Sequence, residues 1–129
     1  MAAGVRWGLV VAYMAAIFAL SSQPQLPDLP SGVSDKHAHA VTYAGLAVVT
    51  SRAVAGGSLA RLTARGAATA WAIAAAYGAS DELHQGHVPG RTPDLDDWVA
   101  DAAGAAAAAA GCYAWGILSP SRRHPPSPS

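Results

Sequence analysis

Charge is scarce in this chain. Only 12% of its 129 residues are Asp, Glu, Lys or Arg, about half the ~25% of a typical soluble domain. Eight basic and eight acidic residues cancel to a formal net charge of zero. Nothing therefore draws the chain in bulk to nucleic acid, and the basic residues do not gather into a patch. Cysteine is scarcer still. Cys112 stands alone in the last apolar stretch, which excludes an intramolecular disulfide and leaves a small hydrophobe in a helix. Strong hydropathy is also missing: 52% of the residues are hydrophobic, yet mean hydropathy is only +0.23, because alanine carries much of the apolar count. No serine or cysteine stands in a nucleophile-like context within the polar motifs described below, which argues against a covalent hydrolase. Residues 55–76 hold no acid and no histidine, which leaves a transporter or channel without an obvious polar path.

What is present is sorted. Four apolar stretches run over about 5–20, 36–54, 66–83 and 97–118. All eight acids (Asp28, Asp35, Asp81, Glu82, Asp94, Asp96, Asp97 and Asp101) fall in or beside the connections after the first and third stretches. Six of the eight basic residues (Arg6, Arg52, Arg61, Arg65, Arg122 and Arg123) fall at the N-terminus, after the second stretch and after the fourth. A soluble domain has no reason to sort charge by alternate loops. A four-span membrane protein does, because cytoplasmic loops are enriched in Lys and Arg. The fold expected is all-α: a polytopic membrane protein, a four-transmembrane-helix bundle over residues 1–118, with both termini cytoplasmic and its chemistry on the outer face. An alanine-rich soluble helical bundle is the competing reading. The first stretch could also serve as a signal peptide cleaved near Ala19 and Ser21, but Leu20 and Ser21 fit such a site poorly.

The connections carry their own signals. Residues 21–34 hold three prolines and a glycine and read as a loop, closed by Ser34 or Asp35 as N-cap. Residues 55–65 form a cytoplasmic turn with Gly56 and Gly57, and Gly86, Pro89, Gly90 and Pro93 break the chain before the fourth helix. In that helix Gly104, Ala108 and Gly111 recur three to four residues apart, a small-residue ridge suited to tight packing. The Pro/Ser-rich tail, 119–129, is expected to be disordered.

Three polar groups mark the outer helix ends. Asp35, His39 and Tyr43 follow an i, i+4, i+8 spacing and share a face, with Lys36 beside them and His37 pointing elsewhere. Tyr77, Asp81 and Gln85 share a second face, flanked by Glu82 and His84. Asp97 and Asp101 share a third, one turn apart, with Gly104 close to it. Taken singly, these have plain structural readings as caps, dipole partners and interface aromatics. Together, carboxylates at the apolar boundary are expected to face the bundle and mark a functional site. Arg91 and Lys36 are the outer-side fixed cations, and Arg91 reads as the counter-ion of the acids.

The ordered set Asp35-Lys36-x-x-His39 with Tyr43, Asp81-Glu82-x-x-Gln85, Pro89-Gly90-Arg91 and Asp97-x-x-x-Asp101-x-x-Gly104 resembles the VanZ-like family. Ser22-Gln23-Pro24 resembles that family's entry loop. The resemblance covers roughly residues 5–118, and His37 and His84 depart from it. It implies a small multi-pass protein of the bacterial cytoplasmic membrane, in a family named for reduced susceptibility to the glycopeptide teicoplanin. The function expected is action at the outer face in envelope processes or glycopeptide resistance, through binding of membrane lipids, a lipid-linked cell-wall precursor or the glycopeptide. The alternative is a membrane enzyme on a lipid-linked or phosphate-bearing substrate. For catalysis the candidates are His39, Asp81, Glu82 and Asp101; for binding, Asp35, Lys36, Tyr43, Gln85, Arg91 and Asp97. No resident cofactor is expected, although the carboxylates offer a Mg²⁺ or Ca²⁺ site. Zinc on His39, His84 and Asp81 would lack a tight His-x-x-x-His pair.

Overall fold

A computed structural model of the chain describes residues 1–24 and 30–120. Four helices account for most of them, and no strand occurs among the described residues: α1 is Ala3–Ser21, α2 Asp35–Val54, α3 Ala64–Gln85 and α4 Leu95–Leu118, with a 3₁₀ turn, Leu59–Arg61, between α2 and α3. Each begins within two residues of the expected start. The caps explain why. The Ser34 hydroxyl accepts from the His37 amide at 3.2 Å while His37 Nδ1 accepts from the Ser34 amide at 3.3 Å, a reciprocal box that satisfies two orphan donors. His37, a departure from the family pattern, is thus engaged in starting α2. Thr63 caps α3 through the Gly66 amide at 2.9 Å, and Asp94 caps α4 through the Asp96 amide at 2.9 Å. Asp28 and residues 121–129, with most of the expected tail, lie outside the described residues.

The helices alternate in direction. His39 lies against Asp101 near the starts of α2 and α4, so these two run parallel. The Trp98 indole donates to the Ala75 carbonyl and the Trp71 indole to the Ala102 carbonyl, each at 3.0 Å, which sets α3 antiparallel to α4. The Tyr13 hydroxyl donates to the Thr42 carbonyl at 2.7 Å, and the Tyr77 hydroxyl to the Met14 carbonyl at 2.6 Å, which tie α1 to α2 and α3. The most extensive contact joins α2 and α4, and the contact of α1 with α3 is slight. Gly104 makes this possible: a Cβ there would overlap the Ala40 carbonyl oxygen. Small residues let two backbones meet at this level. The expected ridge ends early, however. A Cβ on Gly111 would meet nothing within 4 Å, so Gly111 takes no part in a close interhelical approach.

The core follows from the same small side chains. Tyr43, Leu46, Ala47, Ala74 and Ala105 are buried together with Val10 and Ile17. On α4 the buried positions are Asp97, Asp101, Ala105, Ala109, Cys112 and Gly116, one stripe at helical spacing. Outward-facing positions remain apolar: Val5, Leu9, Val11 and Phe18 on α1, Val41 and Val48 on α2, Leu83 on α3, and Val99, Trp115 and Leu118 on α4 are all exposed. Among the described residues, α1 alone is long and apolar enough by composition to count as a membrane span. At ~1.5 Å per residue, the 20, 22 and 24 residues of α2, α3 and α4 reach the length of a bilayer core, but not the composition.

Candidate functional site

The end of the bundle where α2 and α4 begin and α1 and α3 finish gathers the acids. Alternating helix direction is the reason, since it brings the N-termini of α2 and α4 to the C-terminus of α3. His39 stands at the centre. Its Nδ1 lies 2.7 Å from Asp101 Oδ1. Its Nε2 lies 3.8 Å from both Asp35 Oδ2 and Asp97 Oδ2. A proton on Nδ1 donated to Asp101 fixes the tautomer and turns Nε2 to the outer carboxylates. Asp101 is fully buried, and Gly78 makes its place: a Cβ on Gly78 would stand 3.2 Å from Asp101 Oδ2 and 3.3 Å from the Tyr43 ring.

One turn deeper on α2, the buried Tyr43 hydroxyl donates to Asp81 Oδ2 at 3.1 Å. The Tyr43 and Tyr77 rings lie tilted with centroids 6.5 Å apart. Glu82 Oε2 accepts from the Asp94 amide at 3.0 Å, which ties α3 to the start of α4. Two further carboxylate oxygens, Glu82 Oε1 and Asp101 Oδ2, are buried without a hydrogen-bond donor. Gln85 is buried beside them in sequence on α3. Lys36 bridges the rim, with Nζ 3.2 Å from Asp97 Oδ1 and 3.5 Å from Asp94 Oδ2.

The structure thus brings Asp35, Lys36, His39, Asp97 and Asp101 into one chain of contacts, joins Tyr43 to Asp81, and adds Asp94, which sequence reasoning had used only to start a helix. It does not bring Arg91 to the acids. Arg91 donates to the Gln23 carbonyl at 3.1 Å, and the ion pairs among the described residues leave it out. Lys36 is the counter-ion instead. The short segment after Pro89-Gly90 carries Arg91 back toward the end of α1, whereas Lys36 sits on the first turn of α2 facing α4. The zinc set with His84 is likewise not assembled. His84 Nε2 lies 2.9 Å from the Ser22 hydroxyl and its ring stacks on Phe18 with centroids 4.5 Å apart, fastening α1 to α3. The groups close enough to share a cation are Asp35, His39 and Asp97, and His39, Glu82 and Asp101, each with ligand atoms within 4.8 Å of one another.

The Ser22–His84 bond was not foreseen. Its signal was the pairing of two departures from apolar surroundings, a serine leaving α1 and a histidine leaving α3. The opposite end of the bundle is basic: Arg6 and Arg52 line one shallow recess with Met1, Leu9, Val49 and Ala53, and Arg61 donates to the Gly56 carbonyl at 2.7 Å.

Fold and site therefore define a class: a small all-helical bundle with a histidine–carboxylate cluster at one end and arginines at the other. The VanZ/LLP1 family model matches residues 7–117, and the chain belongs to that family. No curated protein and no solved structure matches it.

Proposed function

We propose that the chain is a multi-pass protein of the bacterial cytoplasmic membrane. On this reading its acidic end faces outward and binds the polar head of an envelope lipid or lipid-linked cell-wall precursor around His39 and Asp101. The observation that carries the reading is the burial of Asp81, Glu82, Gln85, Asp97 and Asp101 at one end of a bundle that exposes large apolar side chains on all four helices. Ionisable groups buried within a membrane bundle normally serve function, and contiguous apolar surface signals a lipid or protein contact. Arginines at the opposite end favour a cytoplasmic placement of that end. Val41, Leu83, Leu95 and Val99 are exposed next to the cluster, where acyl chains of a lipid-borne ligand would lie. The excess of carboxylates favours a head rich in hydroxyl, amide and amine donors. A lipid-tailed glycopeptide offers the same chemistry and is the ligand through which the family name would apply.

The test is identification of lipids retained by the protein purified in mild detergent. Wild type should retain an envelope lipid or precursor, and His39→Gln and Asp101→Asn should lose it while staying folded. Equal retention by all three would remove the cluster from binding.

A second reading, a membrane enzyme, is favoured by one distance, the 2.7 Å between His39 Nδ1 and Asp101 Oδ1. A carboxylate that orients an imidazole leaves Nε2 to take or give a proton, with Lys36 at the rim to meet a phosphate. Conversion of a lipid-linked phosphate substrate that disappears in His39→Gln, with binding kept, would establish it.

A further inference from the structure

We propose that His39, Glu82 and Asp101 hold a divalent cation of the Zn²⁺ or Mn²⁺ class, which presents its remaining coordination positions to the oxygen atoms of the ligand's head. The inference deepens the reading above and rests on it for the cation's use, though not for its binding.

Three independent features meet at this point. The first is donor geometry. One ligand atom from each residue lies within 4.8 Å of the others, and cation–ligand bonds of ~2.0–2.5 Å span opposed ligands up to ~4–5 Å apart. The residues come from three helices, α2, α3 and α4, so the spacing is set by the packing of the bundle.

The second feature is the pair of orphaned oxygens. Glu82 and Asp101 are 7% and 0% exposed, and each keeps one oxygen without a donor. The donors that bond these carboxylates serve their other oxygens. The Asp94 amide serves the other Glu82 oxygen, His39 Nδ1 the other Asp101 oxygen, and the Tyr43 hydroxyl serves Asp81. Buried polar groups are normally satisfied, and two neighbouring carboxylates left over call for positive charge.

The third feature is the charge balance. Asp35, Asp81, Asp94 and Asp97 surround the three residues, and against these six carboxylates stand only Lys36, which reaches Asp94 and Asp97, and His39 among the ion pairs of the described residues. A buried water could donate two protons but would supply no charge. A cation supplies it, and a mixed nitrogen and oxygen donor set suits Zn²⁺ or Mn²⁺. The ligating imidazole nitrogen gives up any proton to solvent on binding. Three protein ligands leave positions open, which would let an acidic cluster accept a phosphate-bearing head. The rival set, Asp35, His39 and Asp97, shares the histidine, but Asp35 is exposed and Asp97 is engaged by Lys36.

The experiment is metal retention by the full chain in detergent. The protein is stripped with chelator, loaded with Zn²⁺, desalted and assayed for metal per chain. About one ion per chain is expected for wild type and Asp35→Asn, with retention lowered at least ~10-fold in Glu82→Gln and Asp101→Asn. Circular dichroism and size exclusion identify folded variants. In case Asp101→Asn fails to fold, Mn²⁺ bound to wild type should show electron-spin-echo coupling to one imidazole nitrogen, absent in His39→Gln. Retention no greater than a chelator-treated control, or insensitive to Glu82→Gln, overturns the proposal. So does loss in Asp35→Asn with retention in Glu82→Gln. The two readings fail separately. Stripped wild type that keeps its envelope lipid but takes up no metal removes the cation alone; a metal-loaded chain that retains no lipid removes the lipid reading alone.

Discussion

Asp101 has no surface of its own and one bonded neighbour of opposite character, His39. Such a pair contributes little over a well-packed apolar pair, yet breaking it is costly, because the survivor is left buried and unmatched. Truncating one member of a buried pair typically destabilises by ~3–5 kcal/mol. Asp101→Ala should lower stability on that scale in detergent unfolding, and Asp101→Asn by less, since the amide can still accept from Nδ1. Arg91 should behave otherwise. Its observed bond is an exposed one to the Gln23 carbonyl, and a hydrogen bond of this kind is worth about 1 kcal/mol. Arg91→Ala should therefore fold with near wild-type stability, measured in the same unfolding assay; a loss as large as that of Asp101→Ala would mean that Arg91 does serve the acids. Much of the cluster was legible in the sequence, because i, i+4 spacing fixes which side chains share a helix face. The counter-ion was not. Counting two outer cations does not reveal that a four-methylene lysine on the first turn of α2 reaches α4 while a loop arginine turns toward α1.

At the level of the elements, one contact organises the bundle, where α4 meets α2 at Gly104 and Ala40. A Cβ at Gly104 falls on backbone rather than on the movable end of a side chain, so the helices themselves would have to part. Overpacking of a core costs ~1–3 kcal/mol, and Gly104→Val should lose at least that much in thermal unfolding while also disturbing His39 one residue from the contact. Gly111→Ala is the matched control. Its Cβ enters open space, so helix propensity should make it neutral or stabilising by up to ~1 kcal/mol. Destabilisation by Gly111→Ala equal to that of Gly104→Val would show a ridge longer than the structure has. The sequence spacing marked both glycines alike. Two helices that cross touch closely at one level only, and spacing along one helix says nothing of where its partner crosses. Helix starts were more legible, since Ser34, Thr63 and Asp94 cap through their own side chains, which is local chemistry. The bond between Ser22 and His84 joins residues 62 apart, so each polar residue marks its own helix end but local spacing does not pair them.

The proposed function gives the whole molecule a direction: acids and the His39 cluster would lie outside and the arginines inside, with the helices crossing between. The structure sets the acids at one end and Arg6 and Arg52 at the other, which turns the alternating charge of the loops into two poles of one body. On the proposed membrane reading, lipid on the apolar flanks would account for exposed Val41, Leu83, Val99, Trp115 and Leu118 together. The most direct test is labelling of single cysteines in intact cells by a membrane-impermeant thiol reagent. The background is Cys112→Ser, which removes the one native thiol. Ser31→Cys and Thr92→Cys probe the acidic end and Ala64→Cys the basic end; all three positions are exposed and avoid the positive-φ glycines Gly32, Gly57 and Gly90, where a new side chain would strain the turn. The account predicts rapid labelling at 31 and 92, and labelling at 64 only after the cells are permeabilised. Rapid labelling at 64 with protection at 31 and 92 would invert the molecule. Protection of all three until lysis, with the protein recovered in the soluble fraction, would contradict the membrane-spanning account altogether.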